Sequence, residues 1–151
     1  MKKNLSITGL FGIFALMLAL VAFLMPIAPG ISASGTLIRG YDFVFTNNST
    51  PITIHESDGL VAMFVLFIVG SFLELVGTAF GWWGGKFGGF LAIAGGICMI
   101  IAGALVLASP LTIEPNKFEL SLAWGFIATA AAAILSGLLA GFGGVKAFLK
   151  K

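Results

Sequence analysis

Cysteine, histidine and charged residues are scarce in this chain. It holds one cysteine and one histidine, and charged residues make up 9% of its 151 residues. The single cysteine, Cys98, allows no disulfide within the chain. No set of histidine, cysteine and carboxylate residues has a zinc spacing, so we expect no metal site. Six acidic and eight basic residues are also too few to cover the surface of a soluble domain.

Sequence motifs for catalysis or nucleotide binding are missing as well. No G-x-S-x-G, Walker or dinucleotide-binding pattern occurs. The apolar runs contain serine and threonine but no histidine that could activate them as nucleophiles. The basic residues are divided among separate segments, which argues against a basic face for nucleic acid. We therefore expect no enzyme activity, no cofactor and no nucleic-acid partner.

Hydrophobic sequence, by contrast, is abundant. Hydrophobic residues make up 59% of the chain, and the mean hydropathy is +1.11. Four apolar runs are each long enough to cross a hydrocarbon core of about 30 Å. The predicted spans are residues 7–26, 59–83, 87–108 and 118–142, with an outer loop at 27–58 and a tail at 143–151. The sequence thus predicts a single domain over residues 1–151, an all-α integral membrane protein built as a four-helix up-and-down bundle in the lipid bilayer.

The first outer loop carries a β pattern. Aromatic residues alternate with other residues from position 41 onward, and turn-forming residues follow them before a second alternating run. A period of two is typical of strands, so we expect a small extracellular β-hairpin within residues 36–55. The candidate outer-face interaction residues are Tyr41, Phe43, Phe45 and His55.

One ionisable residue, Glu74, lies inside an apolar run. A charged side chain in hydrocarbon costs roughly 2.5–3.5 kcal/mol on insertion scales, so Glu74 is a candidate functional residue. Helical spacing places Ser71 and Thr78 beside it, and we expect the three to form an intramembrane polar site. Two interpretations stay open. Glu74 binds a proton or a cation, or it is a neutral acid whose hydrogen bond to Ser71, Thr78 or a facing carbonyl only holds helices together.

Small residues recur at four-residue spacing in the later helices, and such stripes let helix backbones approach closely. The longest stripe runs through the fourth helix from Ser121 to Gly141, with a second stripe beside it, so this helix is expected to contact two neighbours. Asn116 and Glu119 form a capping-box pattern that predicts the start of this helix near Lys117. The predicted helix-packing residues are Gly70, Gly77, Gly96, Gly103, Gly125, Thr129, Ala133, Gly137 and Gly141.

The positions of lysine and arginine predict the orientation. With both termini in the cytoplasm, six of the eight basic residues lie inside, and Arg39 and Lys117 lie outside. This distribution agrees with the positive-inside rule. We therefore expect a multi-pass protein of the plasma (cytoplasmic) membrane with both termini cytoplasmic.

This topology, four helices with a longer first outer loop of strand character, is similar to that of claudin-like tetraspan proteins. The first loop lacks the tryptophan and the paired cysteines that this family carries. The resemblance therefore implies a fold and no function.

Three functions remain open. The first is a helix-packing subunit or scaffold of a larger membrane assembly, which the small-residue faces of the third and fourth helices favour. The second is an oligomeric carrier or channel component that uses Glu74 for a proton or a cation. The third is an outer-face recognition or adhesion protein that works through the hairpin within residues 36–55. The expected protein partners are helices of other membrane proteins or further copies of this chain.

Overall fold

Four long helices dominate the structure, a computed structural model that describes residues 7–33, 35–45, 58–82, 86–112 and 120–149. They are α1 (Ile7–Leu24), α2 (Asp58–Trp82), α3 (Lys86–Leu107) and α4 (Trp124–Leu149). Each is long and apolar enough to cross a membrane. The prediction of four helices that are long and apolar enough to cross a membrane is therefore confirmed.

The helices form a ring in which each contacts two neighbours. α2 packs on α3, α3 on α4, α4 on α1, and α1 on α2, with the α1–α2 contact the least extensive. One end of the bundle, here called the sheet end, carries a small sheet. The other, called the opposite end, holds the start of α1, the end of α2, the start of α3 and the end of α4. Asp58 in the first turn of α2 and Lys146 in the last turn of α4 have the charges that stabilise those helix ends.

Glycine sets the spacing between α2, α3 and α4. A Cβ built on Gly96 of α3 would lie 2.5 Å from Gly137 O of α4, and one built on Gly77 of α2 would lie 2.5 Å from Ala92 N of α3. Real Cβ atoms do not approach this closely, so the helix backbones touch with no side chain between them. This is the close packing that small residues at four-residue spacing permit.

Most of the predicted helix-packing residues lie at such contacts. Gly70 faces Met99 of α3, Gly103 faces Ala130 of α4, and Gly125 faces Pro29 in the first loop. Thr129 and Ala133 are buried, and the Thr129 hydroxyl donates to Gly125 O over 2.7 Å. Gly141 differs from the others, because a Cβ built on it has no neighbouring atom within 4 Å.

The sheet has three antiparallel strands, β1 (Pro29–Ala33), β2 (Thr36–Arg39) and β3 (Leu120–Leu122), in the order β2-β1-β3. β1 and β2 form a hairpin, with Gly35 at its turn in a left-handed conformation (φ 85°) that favours glycine. β3 comes from the second loop and pairs with the free edge of β1, where Ser121 lies opposite Ser32.

The position predicted for the hairpin is wrong. The strands lie earlier in the loop, and Gly40–Phe43 forms a 3-10 turn in place of a strand. Phe43 is buried and Tyr41 half-buried, so the alternating aromatic residues pack against the bundle. Packing against neighbouring elements has outweighed the local pattern here. The second half of the predicted hairpin, including His55, lies outside the described residues.

The fourth helix begins and ends later than predicted. Leu120–Leu122 forms a strand because it pairs with β1, so Ser121 is not part of the helical stripe, and α4 starts at Trp124. The helix then continues to Leu149, beyond the predicted end at residue 142. Gly144 in this extension packs on Gly89 of α3, which explains why the helix does not end earlier. The capping residues Asn116 and Glu119 lie outside the described residues.

Large apolar side chains fill the half of the bundle nearer the sheet. We call this group the apolar plug; all of its members are less than 2% exposed, and they are Leu60, Met63, Phe67, Met99, Val106 and Phe126. Phe126 also contacts the loop, because Cβ atoms built on Gly30 and Gly40 would collide with its ring. The plug therefore joins the helices to the sheet.

Candidate functional site

Glu74 lies at the level where all four helices meet. Its side chain is 0% exposed. Its Oε2 atom is 3.0 Å from the Ser136 hydroxyl of α4, and this hydroxyl is 2.7 Å from the backbone carbonyl of Ala15 in α1. On the α3 side, a Cβ built on Gly95 would lie 2.9 Å from Glu74 Cγ, so a glycine leaves the space for the acid.

Two hydrogen atoms are needed to join the three oxygen atoms Glu74 Oε2, Ser136 Oγ and Ala15 O by two hydrogen bonds. The Ser136 hydroxyl has one hydrogen, which can be donated to Ala15 O or to Glu74 but not to both. Both distances are hydrogen-bond distances, so the second proton belongs on the carboxyl group. Glu74 Oε2–H then donates to Ser136 Oγ, and Ser136 Oγ–H donates to Ala15 O. The geometry thus favours a neutral acid, which is also the form that a membrane interior tolerates more easily.

The second carboxyl oxygen of Glu74 is left without a partner. Oε1 is buried and makes no hydrogen bond with the described residues. Leaving a buried polar atom unpaired costs about 1–3 kcal/mol. An acid that served only to hold helices together would be expected to have both oxygens paired. The free oxygen is therefore the feature of the site that packing does not explain.

Ser71 and Thr78, predicted beside Glu74, do not pair with its carboxyl group. The Ser71 hydroxyl points to Met99 of α3, with 3.9 Å between Oγ and Sδ. Thr78 packs against α1, where a Cβ on Gly12 would lie 2.5 Å from Thr78 Cγ2. The prediction therefore identified the acid and missed its partner on another helix.

The partner that the sequence missed, Ser136, belongs to the second small-residue stripe of α4. Its neighbours at four-residue spacing, Ala132 and Ala140, are buried with it. The stripe showed that this face packs closely, but a serine among alanines gives no sign of which helix it meets. The only sequence signal for Ser136 is that it is a polar residue inside a stripe of small apolar residues.

Below Glu74, toward the opposite end of the bundle, lies a small cleft that is partly open to the surface, with about 20 Å³ of space for the centres of water-sized molecules. We call it the glycine cleft, because small residues from all four helices line it, among them Gly12, Thr78, Gly81, Gly88, Ala140 and Gly144. Lys146 is next in sequence to the lining residue Ala147, and its Nζ atom is 5.2 Å from the centroid of the Phe11 ring.

The predicted outer-face residues serve mainly to attach the loop. The Tyr41 hydroxyl donates to the carbonyl of Phe23 in α1, and the rings of Tyr41 and Phe45 both contact Phe64 of α2. Burial raises the pKa of Tyr41, so its phenol remains a hydrogen-bond donor at neutral pH. Phe43 is buried, while Phe45 is 58% exposed. An outward aromatic surface is therefore reduced to Phe45 within the described part of the loop.

The described residues contain no group of three histidine, cysteine, aspartate or glutamate side chains that could hold a metal ion. Comparison with known proteins adds no assignment, since the chain matches no protein-family model and is not significantly similar to a curated protein or to a solved structure. The site is therefore interpreted from its own geometry.

Proposed function

We propose that this chain is a carrier or channel component of the cytoplasmic membrane, in which Glu74 binds and releases a proton. The observation that carries this proposal is a fully buried carboxyl group with one oxygen in a series of hydrogen bonds and the other with no partner among the described residues. Ionisable residues inside a membrane bundle are rare and typically mark ion or proton pathways. The cleft below Glu74 supports the proposal, because its lining includes Gly77 and Thr78, one helical turn from the acid.

A second candidate is a helix-packing subunit of a larger assembly. Most of the glycines that suggested it, such as Gly96 and Gly137, pack against each other inside the bundle. Gly141 is the observation that still favours it, because open space lies where its side chain would be. A neighbouring helix from another protein, or from a second copy, could approach there.

Glu74→Gln is the test of the proton function. Glutamine keeps the shape of the side chain and a hydrogen bond to Ser136, but it cannot take up or release a proton. We expect proteoliposomes with the wild-type chain to pass protons under an imposed membrane potential, and the Glu74→Gln variant to fall to the rate of protein-free liposomes. Entrapped pH-sensitive dye measures the flux over the physiological pH range.

Asp58→Asn is the matched control, since it removes a carboxylate from the exposed first turn of the same helix. It is expected to conduct like the wild type. If Glu74→Gln also conducts like the wild type, or if the wild type conducts no better than empty liposomes, the proton function is refuted. In that case co-purification from detergent, read by intact mass, tests for the stoichiometric partner that the second candidate requires.

The orientation is tested by cysteine labelling. In a Cys98→Ala background, a membrane-impermeant reagent applied to intact cells is expected to label Ser49→Cys and to leave Lys150→Cys unlabelled until the cells are opened. The reason is that six of the eight basic residues lie on the side of the termini. Labelling of Lys150→Cys but not of Ser49→Cys in intact cells would reverse the proposed topology.

A further inference from the structure

We propose that the glycine cleft is the path by which Glu74 exchanges its proton with water at the opposite end of the bundle, and that in this conformation the apolar plug closes the route to the sheet end, as in a carrier that opens to one side at a time. This inference rests on the proposed function of Glu74. Water reaches Glu74 from the opposite end of the bundle, along the residues that line the glycine cleft.

The cleft ends one helical turn from Glu74. Its innermost residues lie three or four positions from the residues at the level of the acid: Gly12 from Ala15, Thr78 from Glu74, Ala92 from Gly95, and Ala140 from Ser136. One turn corresponds to about 5.4 Å along the helix axis. A rotamer change of the long glutamate side chain, or one bridging water molecule, covers such a distance.

The other side of Glu74 is closed by large apolar side chains. Phe67 lies two turns away on α2, Met99 one turn above Gly95 on α3, and Phe126 nearer the sheet on α4, all less than 2% exposed. The hydroxyl groups on this side, those of Ser71 and Thr129, are already directed to Met99 Sδ and Gly125 O. A water molecule there would find few of the several polar partners that it needs. On one side of the acid, a cleft begins one helical turn away, and on the other side packed apolar side chains fill the bundle.

No other ionisable side chain of the described residues shares this level of the bundle. α1 has no charged residue between Ile7 and Leu24, while Lys86 begins α3 and Lys146 lies in the last turn of α4, both at the opposite end of the bundle. Asp58 lies at the far end of α2, and the Cys98 thiol is near Gly70, one turn from the acid. The proton on Glu74 is therefore exchanged with water and with no neighbouring acid or base.

The hydrogen bonds of Glu74 and Ser136 rearrange when the proton is transferred. Glu74 Oε2–H passes its proton to a water molecule of the cleft, which becomes hydronium and leaves by the opposite end. The hydroxyl hydrogen of Ser136 then turns from Ala15 O to the carboxylate oxygen, so the new charge receives a hydrogen bond. Ala15 O retains its helical hydrogen bond. Reprotonation reverses these steps, and Ser136 is the positioning residue in both directions.

Filling the cleft without disturbing the packing tests this path. Gly81 lines the cleft, and a Cβ built on it has no atom within 4 Å, so Gly81→Leu adds a side chain in open space. Infrared spectroscopy of proteoliposomes follows the shift of the carboxylic acid band when water is replaced by D2O, and loss of the band in Glu74→Gln assigns it. We expect Gly81→Leu to slow this exchange by at least about ten-fold, because the side chain displaces water from the path.

Gly141→Leu is the matched control, since a Cβ on Gly141 also meets nothing within 4 Å and this residue does not line the cleft. It is expected to exchange at the wild-type rate. Gly81→Ala, which adds a single methyl group, should slow the exchange less than Gly81→Leu and keeps the test valid if the leucine variant fails to fold.

Equal exchange rates in all three variants and the wild type would overturn the access path while leaving the proton function intact. Equal slowing by Gly81→Leu and Gly141→Leu would overturn it too, since only one of these residues lines the cleft. Absence of an acid band in the wild type would instead refute the proposed function itself. The two failures are therefore distinguishable.

Discussion

Gly137→Leu is expected to prevent assembly of the bundle. A Cβ on Gly137 would collide with Gly96 O and would lie 2.7 Å from Ile100 Cγ1 of α3. Overpacking of a core typically costs about 1–3 kcal/mol, and a clash with backbone, which cannot rotate away, should exceed that range. We expect loss of the monodisperse peak in size-exclusion chromatography and of the cooperative unfolding transition in detergent.

The control for this prediction lies one turn further along the same helix. Gly141→Leu introduces the same side chain where there is open space. It should elute and unfold like the wild type, or be slightly more stable, because glycine inside a helix is unfavourable by roughly 1 kcal/mol relative to alanine. If Gly137→Leu assembles and unfolds like Gly141→Leu, then α3 and α4 are not held at backbone contact and the described packing is wrong.

Ser136→Ala is expected to lower the free energy of unfolding by about 1–3 kcal/mol, the usual cost of leaving buried polar groups unpaired. Without the hydroxyl, the acid proton of Glu74 has no acceptor at Oε2, and both carboxyl oxygens are then unpaired. Denaturant unfolding in detergent micelles measures the loss. Ser121→Ala is the control, since Ser121 is exposed on β3.

A double-mutant cycle separates the contribution of the Glu74–Ser136 hydrogen bond from the other contributions of Ser136 to stability. In a Glu74→Leu background the acid is gone, so Ser136→Ala should cost much less than it does in the wild type. A cost that is unchanged in the Glu74→Leu background would show that Ser136 stabilises the bundle through Ala15 O alone. The two-proton description of the site would then be incorrect.

The four helices could be predicted from sequence because each is a long apolar run, and in a membrane a helix is the structure that pairs its own backbone. Glu74 could be recognised for a related reason, since a carboxyl group in such a run stands out against its neighbours. The sequence also predicted that Gly96 and Gly137 pack closely against a neighbouring helix, because small residues recur at four-residue spacing on both helices.

Features that depend on which elements meet were not predictable in this way. The aromatic alternation at Tyr41 and Phe43 resembles a strand, but contacts with α1 and α2 decide their conformation. The strand at Leu120–Leu122 exists because β1 offers it an edge, so no local signal could mark it. In the same way, nothing in α2 or α4 alone shows that Ser136 faces Glu74.

The strand order of the sheet has a consequence for folding during synthesis. β1 is the central strand, and it pairs with β2 close by in sequence and with β3 from the far half of the chain. Until Leu120–Leu122 has been made, one edge of β1 therefore has unpaired backbone groups, the kind of edge that invites association with another chain. α4 follows directly on the strand that closes this edge, so completing the four-helix bundle and protecting the sheet edge happen together, after the first three helices have been made.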